Sequence, residues 1–94
     1  MSAITIVNAA LGLARERQNQ APDFDIYSSC VVQLEYLLSV LRTEAPINRQ
    51  KLGKIIVGHI AAREFEESDP EFSDALMRAQ NIASAFARGL KVPS

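Results

Sequence analysis

The chain has one cysteine and one histidine in 94 residues, with four glycines and four prolines. With Cys30 alone, no internal disulfide can form, and a reducing compartment is expected. His59 alone excludes the usual metal sites, which need several His, Cys or carboxylate ligands converging at fixed spacing. Gly53 and Gly58 fall inside a helical pattern rather than in a phosphate-cradling loop, so no nucleotide cofactor is expected. Positive charge is not in excess: ten Lys and Arg face eleven Asp and Glu, the formal net charge is −1 and the pI is near 5.7. That balance argues against a general nucleic-acid binder, which needs basic residues to displace counterions. Long apolar runs are also missing. The most apolar stretch, "CVVQLEYLLSVL", is broken by Gln33, Glu35 and Ser39, so no membrane span is expected. The start lacks the basic n-region of a signal peptide. A cytoplasmic setting is expected.

Apolar residues make up 48% of the chain, enough for a single core and a single domain over 1–94. Proline punctuates it at "QAPD", "EAPIN" and "SDP", leaving four helix-length segments at roughly 3–19, 24–43, 48–67 and 70–88. Apolar residues recur at three and four rather than at two, which predicts an all-α, mainly antiparallel bundle. Ile4, Val7, Leu11 and Ala14 form the inner stripe of the first helix. Its core partners are expected to be Leu34, Leu37, Leu41, Ile56, Phe72, Ile82 and Phe86. Asn48 reads as an N-cap, and so does Asp69 followed by Pro70, while Gly89 suits the residue just past a helix end.

The third segment does not keep one face. Its first half buries Leu52, Ile55 and Ile56, but the same stripe continues into His59, Arg63 and Glu66. Either the helix bends near Gly58, or polar groups are held beside the core. The second segment carries an extra apolar arc of Val32, Tyr36 and Val40. That arc either packs on another helix or forms an exposed aromatic patch, with a homodimer among the outcomes.

Charge is spent unevenly. Six carboxylates, Glu64, Glu66, Glu67, Asp69, Glu71 and Asp74, crowd the stretch "REFEESDPEFSDALMR". Asp69, Glu71 and Asp74 suit the positive N-terminus of the last helix. Glu64, Glu66 and Glu67 would end the third helix, where its dipole disfavours anions, and Arg49 and Lys51 would open it, where cations are disfavoured. A helix charged against its dipole at both ends suggests recognition of a charged partner. His59, Arg63 and Glu66 share a face, but no nucleophile or oxyanion donor accompanies them, so an enzyme is the weakest reading.

A helical chain with "REFEESDPEFSDAL" at a helix–helix turn and "ARGLKV" near its end resembles a family of bacterial type VI secretion immunity proteins. The resemblance implies that the chain binds and blocks a cognate effector's toxin domain, one that hydrolyses NAD(P), in the producing cell's cytosol. Partner-binding residues are then expected among the six acids, His59, Arg63 and Tyr36. No catalytic residue, metal or cofactor is expected. The other reading is a generic helical adaptor.

Overall fold

The computed structural model describes residues 2–90, and every described element is helical. Helix α1 spans Ala3–Gln20, α2 Asp25–Leu41, α3 Arg49–Leu52, α4 Val57–Ile60 and α5 Pro70–Ala87. A π-helical turn, Ala61–Phe65, continues α4.

Local chemistry explains where the long helices begin and stop. Ser2 caps α1 by accepting the Thr5 N–H at 3.2 Å. Asp69 caps α5 through the Phe72 N–H, with Pro70 opening the first turn as expected. At the far end of α5, Gly89 takes φ +75°; its N–H reaches the Phe86 carbonyl and that of Leu90 the Ala85 carbonyl. This pair of bonds is the Schellman arrangement that satisfies the last carbonyls. Helix α2 stops in the same way, but with Thr43 at φ 58°. Of "ARGLKV", Lys91 and Val92 lie outside the described residues.

A short link folds α2 back along α1, and Arg17 near the end of α1 meets Asp69 and Glu71 at the start of α5. Thus α1 runs antiparallel to both α2 and α5, and packs against each. Small residues at the buried positions Ala3, Ala10 and Ala14 allow that approach. Leu34, Leu37 and Phe72 are fully buried, and Ile82 nearly so. Leu41 and Phe86 pack on the core's edge. Ile4 is 38% exposed, and Ala3 takes the inner position instead.

The third segment departs from the expected single helix. After Leu52 the chain makes a turn at Gly53 and Lys54, and Ile56 adopts φ −126°, ψ 23° before α4 begins. The break lies about one turn before Gly58, and it resolves the changing stripe. On an unbroken helix Phe65 would stand about 140° around the axis from Leu52. Breaking the helix lets Leu52, Ile55, Val57, Ile60, Ala61 and Phe65 all face inward. Ile56, expected in the core, is 46% exposed, and Val57 is buried in its place. Two glutamines take up freed backbone donors. Gln33 Oε1 accepts the Ile56 N–H at 2.7 Å, and Gln80 Oε1 accepts the Gly58 N–H at 3.0 Å.

Candidate functional site

The acidic turn is built around aromatic rings. Phe65 is buried, stacks on Tyr27 with centroids 5.4 Å apart, and meets Phe72 at 5.0 Å. Phe65 ends the π turn and Phe72 lies in the first turns of α5, so this cluster pins both sides of the link. With Phe65 pointing in, Arg63, Glu64, Glu66 and Glu67 point out. Ala62, Arg63, Glu64, Glu66, Glu67 and Ser68 line an open groove of about 470 Å³ there. A second groove of about 300 Å³ runs beside it between the π turn and α5, with Glu66 and Asp74 at its edges and Ala62, Pro70 and Met77 as its apolar part.

One cation organises part of this turn. The Arg17 side chain, 15% exposed, donates from Nε to Asp69 Oδ2 at 2.8 Å and from Nη2 to Glu71 Oε1 at 3.3 Å. Nη1 also donates to Glu16 at 2.6 Å. The Arg17 hydrogen bond holds Asp69 below the usual carboxylate range; the Phe72 N–H adds to this, and partial burial opposes it. The same partners raise the Arg17 pKa further, so its charge is permanent. Sequence reasoning missed Arg17. Its one signal was a basic residue in the last turn of α1, where the dipole favours cations.

The six acids therefore divide. Asp69 and Glu71 are held by Arg17, Glu64 pairs with Arg63 at 3.4 Å, and Asp74 pairs with Arg78 at 3.2 Å. Glu66 and Glu67 are exposed and make no ion pair among the described residues. His59 is exposed and lines neither groove. Tyr36 is not brought to the turn. It lies nine residues, about 13 Å, further along α2 than Tyr27.

Two expectations change with this geometry. Because the third segment is broken, it has no single dipole for its charges to oppose. Arg49 instead sits beside Gly89 at the end of α5, a favoured place for a cation, and Lys51 Nζ lies 4.2 Å from the centre of the Tyr36 ring. The aromatic patch on the far side of α2 does not form as such. Val40 is buried and Tyr36 half-buried with its hydroxyl enclosed, and only Val32, at 65%, is strongly exposed.

No reaction centre is assembled at the turn. The Ser73 hydroxyl is buried and donates to the Ala61 carbonyl. Cys30 is fully buried, and burial pushes its thiol up to about 11, so it is not a ready nucleophile. Among the described residues, no group of three or more His, Cys, Asp or Glu side chains is placed to hold a metal ion. No helix among them is long and apolar enough to cross a membrane. What the turn leaves exposed on this helical module is two carboxylates, Glu66 and Glu67, with no ion-pair partner among the described residues.

Comparison with known proteins identifies the module. The Tsi6 family model matches residues 2–85, and the chain belongs to that family. It is 37% identical over 92 residues to the immune protein Tsi6 of Pseudomonas aeruginosa strain PAO1, covering 98% of this chain and 97% of that protein. The solved structure of Tse6 in complex with Tsi6 contains a chain that superposes with TM-score 0.90 at 36% identity, over 97% of this chain and 96% of that one. Tsi6 of Pseudomonas aeruginosa on its own superposes with TM-score 0.85 at 36% identity, over 100% and 97% of the two chains. The protein is an immunity protein, not an enzyme.

Proposed function

We propose that the protein protects the producing cell by binding the toxin domain of a Tse6-like type VI effector in the cytoplasm and occluding it, with the acidic turn as part of the contact surface. The similarity to a chain solved in complex with Tse6 supports the kind of partner. The resemblance of the 63–76 turn to NAD(P)-glycohydrolase immunity proteins supports the toxin's chemistry. The observation that carries the role of the turn is the pair Glu66 and Glu67, exposed and without an ion-pair partner among the described residues; both line the open groove at the turn, and Glu66 also borders the groove that contains Ala62, Pro70 and Met77.

A cleft that takes an anionic dinucleotide is basic. Two free carboxylates on a corner held by Phe65 and Phe72 attract such a cleft at long range, and at contact they occupy the place of substrate phosphates. Exposed charges of this kind act mainly on the association rate, and those desolvated on docking act on release. Asp69 and Glu71, already held by Arg17, shape the corner instead. Glu64, Asp74 and Arg63 form its margin, and His59, exposed on α4 and lining neither groove, is included only as an outlying contact. Tyr36, on another part of the surface, is not included in the contact.

The test is Glu66→Lys together with Glu67→Lys. Toxin binding should weaken by roughly 2–4 kcal/mol, with the larger part in the association rate at low salt. Thermal unfolding should hold, because neither side chain has an ion-pair partner among the described residues. An Asp69→Ala control should do the reverse, losing stability through the cap. If the double Lys variant binds and protects as wild type does, the turn is a solvated corner and the contact lies elsewhere.

A further inference from the structure

The acidic turn is continuous with two apolar hollows, one on each side of α5. The groove that contains Ala62, Pro70 and Met77 shares Glu66 with the groove of the turn itself. Across α5 from it lies a third groove of about 210 Å³, where Ile6, Ala9 and Leu13 of α1 face Ala75 of α5. Asp74 lines both of the α5 grooves, so it stands on the ridge between them. A surface that approaches the turn therefore meets Glu66, an apolar hollow, Asp74 and a second apolar hollow.

Helix packing opens the hollow between α1 and α5. The short side chains of Ala9 and Ala75 leave the outer seam unfilled, and Ile6 and Leu13 are only partly buried at its edge. On the other side of the ridge Met77 is 45% exposed, and its flexible thioether adapts to the shape of a partner. The lining also has a charge bias. Glu66, Glu71 and Asp74 line the two grooves, and Arg78 is the one cation that does so. Arg78 pairs with Asp74, but both side chains are more than half exposed, so the pair is weak and free to rearrange. Glu71 is engaged by Arg17, which leaves Glu66 in excess.

We propose that the toxin domain straddles α5 at these two grooves, which anchor it while the turn attracts it; this rests on the reading of the turn given above. The occupant is a segment with two apolar side chains and a Lys or Arg between them. One apolar side chain seats against Pro70 and Met77, the other between Ala9, Leu13 and Ala75, and the cation meets Asp74 on the ridge. Apolar anchors in pockets with a polar rim carry most of the energy of such interfaces, and the charges around them set the approach. A second copy of this chain fits less well. Two-fold pairing through this face would set one row of carboxylates against the same row of the other copy.

The probe is the purified toxin domain of the cognate effector, titrated into the isotope-labelled whole protein. Backbone amides of residues 6, 9, 13 and 75 should shift together with those of 62, 66, 74 and 77. Two variants then separate anchoring from attraction. Ala9→Trp fills the α1–α5 groove without changing charge, and Met77→Glu adds an acid while removing an apolar wall. Both change exposed side chains, and melting temperatures near that of wild type check that the fold is kept. Each should weaken binding about tenfold or more, mainly through faster dissociation. A plain acidic face would instead bind Met77→Glu as tightly as wild type or more so, and that result would overturn the proposal. Shifts and losses confined to residues 63–68 would also overturn it, while leaving the reading of the turn in place. Shifts at the grooves without the turn would sink that reading and keep the grooves, and no binding at either would sink both. Concentration-dependent shifts at the grooves without toxin would assign them to a second copy of the chain instead.

Discussion

The stretches Arg49–Ser68 and Pro70–Ala87 begin from similar ingredients and end differently. Each opens with a good cap, Asn48 or Asp69, and each carries apolar residues at three and four. In α5 those residues, Phe72, Leu76, Ala79, Ile82 and Ala83, stay on one stripe, and the helix runs unbroken for 18 residues. In the other stretch the stripe jumps, and the chain yields two four-residue helices and a π turn. The difference teaches that continuity is decided by whether one face can stay against the core. It is cheaper to break a helix than to bury His59 and Arg63. The break persists because Gln33 and Gln80 satisfy the donors it frees.

The largest test addresses the regular part. Leu34 on α2 is fully buried, and Leu34→Ala should cost roughly 2–5 kcal/mol in denaturant unfolding. A cost under about 1 kcal/mol would mean that the core collapses around the gap.

Next comes the ion pair that joins α1 to the start of α5. Arg17→Ala should cost about 2 kcal/mol at neutral pH, since it leaves the half-buried Asp69 without its charged donor. The pH dependence follows in sign. The Asp69 pKa is depressed in the folded state, so its contribution is present above the unfolded value, about 3.9, and is lost as pH falls through the folded one. Arg17→Ala removes the largest cause of the depression. The variant's melting temperature should therefore drop less than that of wild type between about pH 5 and 2. Equal slopes would show that the pair contributes no linkage.

Two glycines sharpen the comparison directly. Gly12 sits in α1 with no atom within 4 Å of where a Cβ would stand, and Gly12→Ala should stabilise by about 1 kcal/mol. At Gly58 a Cβ would lie 2.6 Å from Gln80 Cγ and 2.8 Å from its Cβ. Gly58→Ala should therefore destabilise by about 1–2 kcal/mol, as Gln80 is pushed off the Gly58 N–H. The same substitution, opposite signs: if both stabilise, the break is not held by Gln80.

The smallest effect belongs to the residue whose expected place was wrong. Ile56→Ala should change stability by no more than about 0.5 kcal/mol, because the side chain is already half in water. A cost near that of Leu34→Ala would restore Ile56 to the core.

The sequence by itself determined the helical class, the three long helices, and the caps at Asn48, Asp69 and Gly89. These follow from period, proline and capping chemistry, which act within a few residues and need no partner. It also determined where the acids lie, and the 63–76 turn with the chain's end carried the resemblance to type VI immunity proteins. Tertiary structure alone decided the rest. Arg17 acts through Asp69, a residue 52 positions away in sequence, and Gln33 and Gln80 act through Ile56 and Gly58, over 20 positions away. Among the described residues, Glu66 and Glu67 are the two of the six without an ion pair because Arg17, Arg63 and Arg78 engage the other four. Local preference acts through neighbours in sequence, whereas pairing and exposure depend on which distant groups the packed helices bring within reach.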